Sequence, residues 1–552
     1  MLFDALFTNG VIHTQDAACP TAHSLGVHNG RIISLDNELP ATSFREVHNL
    51  GAAAVVPGFN DAHLHLTYLG EAQLQVDLRP AAVTGMDQVL AAVGQACRDA
   101  PPGAWVIGAG YDQNYLGDTH PTAEMLDRVS QGHPVWLIHN SRHMGVANTE
   151  AFERAGFPGR RNVPVPDGGA VAKDANGNAA GLLQETARAL VTAAIPGKTA
   201  EDVAAMVGAG SRVALDLGIT SITEPGLGAP AHIGHSAVDV AGYQLARDTG
   251  RLGVRATVMP YLTALHPLTG NADEAAGAPF GLDLGLRSGL GDEWLRIGPV
   301  KILSDGSMIG RSAFMCCDYP ADDAAGISNR GMLQFPADNL RDWLTGAHRS
   351  GWQVAVHAIG DAALDVVMDI LEDAQRQHPR PDTRHRIEHL STASDLQLKR
   401  AAALGLVGVP QGRFISELGD GVVRAVGQDR VPSIYRVKGL LDAGMEIPAS
   451  TDAPVVDASP ILNIHDLVNR RTASGADFGP EERITVAQAV RAYTVGSAYA
   501  VHEEQYKGTL SHGMLADFVT LSEDLYRVDA RNIRDVKVTG TFVAGRPVHS
   551  TR

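Results

Sequence analysis

The chain has 552 residues, 44% hydrophobic and 19% charged, and its 45 Lys and Arg against 62 Asp and Glu leave a net charge of −17. That is the composition of a folded globule with a large core, and 59 glycines without a repeat exclude neither a sheet nor a helix but do exclude a collagen-like chain. An acidic balance with no Lys/Arg cluster excludes nucleic acid and anionic membrane as partners, so a small molecule is the expected one.

The N-terminal run carries Asp4 and no basic start before an apolar stretch, so it does not read as a signal peptide. No apolar stretch reaches the ~20 residues of a membrane span, and a cytoplasmic protein is expected. Residues 2–57 alternate short apolar runs with turn signals, Asn9-Gly10 and Asn29-Gly30 among them, which predicts hairpin-rich β structure. The run 54–65 then reads as a strand. The stretch from about 70 to 200 is too long for a loop and is expected to be an inserted subdomain, with 158–180 as a Pro/Gly/Asn/Asp-rich surface loop. A helix over 201–217 places Val203, Met206, Val207, Val213 and Leu217 on one face and ends at Gly218. From there short apolar runs alternate with helical patterns, with strands at 219–224, 255–261, 296–305, 353–359, 384–390, 406–410 and 446–452. With 54–65 they make eight, enough to close a barrel. Residues 516–521 and 536–548 return to the β style of the N-terminus, which predicts one small β domain built from both ends. The four cysteines, Cys19, Cys97, Cys316 and Cys317, make no disulfide framework in a chain of this length and suit a reducing compartment.

Chemistry concentrates where the predicted strands end. His63 and His65 lie two apart on one strand, so both imidazoles project from one face and can grip one ion. Alone the pair means little, since 22 histidines yield about one such match by chance. Lys301, His357, His389 and Asp452 close four later strands in the same way, and the C-terminal ends of strands are where barrel active sites assemble. Imidazoles with a carboxylate form the N/O shell favoured by Zn²⁺ and related ions. An ammonium at Lys301 would repel the metal, and becomes a sensible neighbour once CO₂ converts it to an anionic carbamate. Each residue alone has a plainer reading: a satisfied strand-end histidine, a snorkelling lysine, or a capping aspartate.

Taken in order, His-x-His after Pro57-Gly-Phe-Asn-Asp-Ala62, then Lys, His, His and Asp, resembles the metal-dependent amidohydrolase superfamily. Pro121-Thr-Ala-Glu-Met-Leu-Asp127, His143-Met-Gly-Val-Ala-Asn148, Gly218-Ile-Thr-Ser-Ile-Thr-Glu224, Lys301-Ile-Leu-Ser-Asp-Gly-Ser307 and Gly508-Thr-Leu-Ser-His-Gly-Met-Leu-Ala-Asp-Phe518 are similar to the branch containing N-substituted formamide deformylase. The resemblance spans nearly the whole chain. It implies an α/β fold with a distorted (β/α)8 TIM-type barrel over 58–507, a β-sandwich from 1–57 and 508–552, and a subdomain of about 70–200 inserted after the first barrel strand. It implies His63, His65, His357, His389 and Asp452 as metal ligands, with Lys301 as the carbamylated bridging lysine. The cofactor is then one or two divalent ions, most naturally zinc, and a homodimer is the assembly such barrels often form. Two departures touch substrate surfaces: Ser141-Arg142-His143 stands where related chains carry Asp-Gly-His, and Val409-Pro-Gln411 inverts the usual Gln-Pro.

The expected reaction is hydrolysis of a non-peptide C–N bond, in an amide, formamide or cyclic amide, by metal-activated water. Asp452 acts as general base and His143 helps to stabilise the oxyanion. Tyr111, Asp112, Glu185 and Arg311 are the candidate substrate contacts beside His143; Tyr111 and Glu185 have packing or pairing within the insertion as their plainer reading, and Arg311 an ion pair with Asp305. A lactonase, esterase, phosphotriesterase or isomerase on the same metals, or a non-catalytic scaffold, are the rival readings.

Overall fold

The computed structural model describes residues 2–36, 38–80, 82–140, 143–230, 233–268, 280–320 and 328–550, and the chain divides into two compact units, 1–67 with 199–552, and 68–198. Among the described residues no helix is long and apolar enough to cross a membrane.

In the larger unit the two ends of the chain share a sheet. Strand Ala54–Pro57 pairs antiparallel with Phe518–Leu521, which continues through Val538–Val543 to Arg546–Ser550. A second, four-stranded sheet of Phe3–Thr8, Leu25–His28, Arg31–Leu35 and Phe44–Asn49 contributes to the same buried cluster, where Phe7 meets Phe518 edge-on at 5.0 Å. The Asn29-Gly30 turn joins a hairpin as expected, both residues at positive φ. The Asn9-Gly10 turn does not: Phe3–Thr8 and Val11–His13 belong to different sheets, so this turn carries the chain across the apolar layer.

The remainder of this unit holds two all-parallel sheets of four strands. One is ordered Leu295–Ile297, Arg255–Pro260, Ile219–Leu227, Phe59–Asp61, and the other Val300–Leu303, Val354–Ala358, Arg386–His389, Val407–Val409. Single parallel bridges, Tyr261 to Lys301 and Gln411 to Ser450, extend them. Three expected strands are corrected. The run 54–65 breaks at Gly58 into two strands of different sheets, and 296–305 breaks at Gly298-Pro299, where proline offers no ladder donor. The run 446–452 forms no strand. Pro448 again lacks an N–H, and the segment is held instead by the π-helical turn Ala492–Gly496: the Ala449 N–H donates to the Ala492 carbonyl at 3.0 Å, and Ser497 Oγ donates to the Ala449 carbonyl at 3.2 Å. Helices cover the parallel strands. Ala200–Asp216 starts with a Thr199/Asp202 capping box and ends before Gly218 at φ 80°, while Asp361–Gln377 buries Leu364, Val367, Met368 and Leu371.

The smaller unit has a mixed six-stranded sheet ordered Gly169–Lys173, Ala179–Glu185, Met144–Ala147, Val135–His139, Val106–Tyr111, Val76–Asp77. Helix Met86–Asp99 contributes Val89, Val93 and Cys97 to its core. The expected loop over 158–180 is partly sheet, since Gly169–Lys173 pairs antiparallel with Ala179–Glu185 around an Asp174–Gly177 turn.

Candidate metal centre

His63 and His65 follow directly on strand Phe59–Asp61, and two buried carboxylates hold that turn. Asp61 accepts the His63 N–H at 3.0 Å, the Thr451 N–H at 3.2 Å and the Thr451 hydroxyl at 2.6 Å. Glu224, in strand Ile219–Leu227, accepts the N–H groups of Leu66 and Thr67 and the hydroxyls of Thr67 at 2.8 Å and Tyr243 at 2.7 Å. Burial raises both acids, Asp61 to about 7.

The ring tautomers follow from what each histidine touches. His63 Nδ1 meets Glu388, which also accepts Arg386 Nε at 2.7 Å and a terminal guanidinium nitrogen at 3.0 Å. A carboxylate only accepts, so Nδ1 carries the hydrogen and Nε2 is left with its lone pair. That Nε2 lies 3.4 Å from Asp452 Oδ1, and His65 Nε2 lies 3.2 Å from the same oxygen. Gln411 does the same for His389: its Nε2 donates to the Val409 carbonyl and to Ser450 Oγ, both at 2.9 Å, which turns Oε1 toward His389 Nδ1 at 2.8 Å. His357 is reversed, with Nε2 on the Gly306 carbonyl at 3.0 Å, so its Nδ1 is the basic nitrogen. Asp305, beside it, accepts the N–H groups of Ile359, Gly360 and Phe314 at 3.1, 2.8 and 2.9 Å. This loop needs glycine at 360, where a Cβ would sit 1.9 Å from the Phe314 carbonyl oxygen.

Lys301 is 1% exposed and its Nζ finds no hydrogen-bond partner among the described residues. Burial pulls it down to about 8. Burial also pushes His63 down, to about 4, with the Lys301 charge adding to it. Asp452 is driven the other way: burial would raise it, but the hydrogen bond from His65 and the charges of His63, His389 and His65 outweigh that and hold it far below the usual carboxylate range. All six residues line one cavity of about 290 Å³.

The donor set fits a divalent ion. One donor atom each from His63, His389 and Asp452 lies within 4.8 Å of the others, all three residues are buried, and nitrogen and oxygen ligands at about 2 Å from a shared ion require only small closure of that spacing. A buried amine without a partner beside them is the further polar atom that such a centre would use.

Tyr111, Asp112, His143 and Glu185 belong to the smaller unit. Tyr111 is packed into its apolar core, with its hydroxyl 3.2 Å from His120 Nδ1. Asp112 accepts the Asn114 N–H at 3.0 Å and so caps a short 3-10 turn. His143 Nδ1 is 3.0 Å from Glu185 Oε2, and both side chains are exposed. Ser141 and Arg142, which carry the departure from Asp-Gly-His, lie outside the described residues. Arg311 is half-buried at φ 52° on the segment whose Ser307, Met308 and Ile309 line the cavity. Sequence reasoning passed over Asp61, Glu224, Asp305, Arg386, Glu388 and the role of Gln411. Arg386 and Glu388 carried a usable signal, as opposite charges two apart share one face of a strand.

Comparison with known proteins accords with this geometry. The sequence profile of the amidohydrolase family matches residues 46–549. The protein LONG AFTER FAR-RED 3 of Arabidopsis thaliana is 31% identical over 99% of this chain and 91% of its own length. N-substituted formamide deformylase of Arthrobacter pascens is 28% identical over 98% of this chain and 97% of its own. Among solved structures, an uncharacterized metal-dependent hydrolase from Pyrococcus furiosus superposes with a TM-score of 0.74 at 28% identity, covering 95% of this chain and 100% of that one.

Proposed function

Since this chain belongs to the amidohydrolase family, a family of metal-dependent hydrolases, we propose that it cleaves a non-peptide C–N bond of a small molecule, with Asp452 as the proton-transfer group. The observation that carries the reading is the placement of Asp452 Oδ1 within 3.2–3.4 Å of the Nε2 atoms of His65 and His63, in a cavity that also collects Lys301, His357 and His389. In this reading the two parallel sheets, extended by the bridges at Lys301 and Ser450, are the two halves of one distorted (β/α)8 barrel.

His63, His65, His357, His389 and Asp452 would hold the metal, most naturally zinc. A bound divalent ion supplies a water acidic enough to deprotonate near neutral pH and polarises the substrate carbonyl. Lys301 suits a carbamate, because burial leaves a fraction of its amine neutral and nucleophilic near neutral pH and the carbamate would remove an unpaired buried cation. Asp452, whose N–H is fixed on the His63 carbonyl at 2.8 Å, takes the proton from the attacking water and returns it to the leaving nitrogen.

The test is elemental analysis of protein purified without chelator, beside His63→Ala. One or two equivalents of zinc or a similar ion, reduced in the variant, with amine released from formyl or acetyl amides by the parent, are expected. A metal-free, folded parent that cannot be reconstituted sinks the proposal.

A further inference from the structure

Beyond its metal end, the cavity has one consistent chemistry. Phe414, Val422 and Met308 are buried in its wall, Leu418 is half-buried between them, and at the rim Ile309 and Val455 remain 46% and 56% exposed. Phe414 and Val422 come from the short helices Arg413–Glu417 and Gly419–Val426, and the Phe414 ring lies nearly parallel to that of His389, 6.1 Å away. The apolar wall therefore begins directly at the reacting end.

What the wall lacks is equally specific. Among the described residues lining the cavity, the charged and imidazole side chains are all at the metal end, and away from it only Ser307 and the Tyr435 phenol are polar. The cation nearest in sequence, Arg413, does not line it and is committed to Glu417 and, at 2.5 Å, to Asp466. A carboxylate or phosphate on the non-reacting part of a substrate would lose its water there without a counter-charge, whereas alkyl carbons would gain about fourfold in affinity per buried methylene.

We infer that the site is specific for uncharged substrates that place a compact apolar group, alkyl or aryl, against the Phe414–Leu418–Val422 wall, and that it discriminates against substrates carrying an anion on that group. The inference rests on the hydrolase reading above and adds the substrate class. At about 290 Å³ and open at the Ile309–Val455 rim, the cavity takes a small alkyl or aryl group and leaves longer substituents room to extend outward.

N-Pentylformamide and 6-formamidohexanoate differ by one carboxylate at the far end of the alkyl chain. In the metal-loaded protein the uncharged member should show kcat/KM at least a hundredfold higher. Ile309→Arg, at the exposed rim where folding is least at risk, should narrow that ratio at least tenfold, and Leu418→Arg should narrow it from inside the wall. Calorimetric binding of pentylurea against 6-ureidohexanoate, a pair differing in the same way, reads the preference without turnover. Equal or better handling of the carboxylated member in either assay overturns the inference, even where amide hydrolysis itself is observed. If neither formamide is cleaved but pentylurea binds at least tenfold more tightly, the substrate-class inference stands and the C–N hydrolase reading falls.

Discussion

At the residue scale, the ligand-type side chains were legible from their types and order along the chain, although Lys301 lies second in strand Val300–Leu303 and not at its end; the groups that orient them were not. Gln411 reaches His389 22 positions away, and Glu388 and Asp61 reach His63 and Thr451 across 325 and 390 positions, so these partners cannot be read from local spacing. Their removal should separate metal affinity from chemistry. In Gln411→Leu the His389 Nδ1–H loses its acceptor in a buried site and the ring is free to rotate, so metal affinity should fall about 10–100-fold, measured by competition with a chromophoric chelator. Unchanged affinity would show that Gln411 serves only Ser450. Asp452→Asn should behave differently. It retains the N–H bond to His63 and nearly the same volume, so the thermal transition should stay close to that of the parent. Turnover should drop by about 10²–10⁴-fold through loss of the proton acceptor, in samples whose metal content is matched by elemental analysis.

At the scale of elements, the Asn29-Gly30 hairpin and the helix before Gly218 could be read directly because turn chemistry and capping are local. The segment carrying Asp452 could not. Its apolar run, 446–452, imitates a strand, yet Ala449 bonds to the π-helical turn packed on it, and the N–H groups of Thr451 and Asp452 go to Asp61 and the His63 carbonyl. That turn is 45 residues downstream and its irregular hydrogen bonding leaves no periodic trace. The contact depends on Gly496, where a Cβ would stand 1.9 Å from the Ile447 carbonyl oxygen. Gly496→Ala should therefore push the two segments apart and cost about 1–3 kcal/mol by urea denaturation. Because the displaced segment leads to Asp452, kcat should fall with stability. A loss of stability with kcat intact would mean that Asp452 is held by the His63 carbonyl and by Asp61 through Thr451, independently of the π-helical turn.

At the scale of the larger unit, the common β character of the two chain ends predicted their shared sheet, whereas the buried ion pairs that tie this sheet to the parallel strands were invisible. Arg255, at the start of its strand, makes a two-pronged bond with Asp517, at 2.5 and 3.0 Å, just before the C-terminal strands begin. Asp517→Asn would strand a buried guanidinium and should destabilise by about 3–5 kcal/mol. Glu503 adds a pH-dependent link. It pairs with Lys507 and with Arg296, and accepts the Thr257 hydroxyl at 3.0 Å. Burial raises its pKa, but the charges of Lys507 and Arg296 outweigh this, so the folded value lies below the ordinary 4.5. A carboxyl held low contributes its full stability above the unfolded value and loses it as pH falls from 4.5 through the folded pKa. Lys507 titrates in a separate, alkaline window, since burial lowers it from 10.5. Glu503→Gln should therefore lower stability at neutral pH and flatten the stability curve below pH 4.5, as measured by urea midpoints across pH 3–7 (roughly the range in which carboxylates titrate). A variant curve parallel to that of the parent would assign the acid limb to other carboxylates.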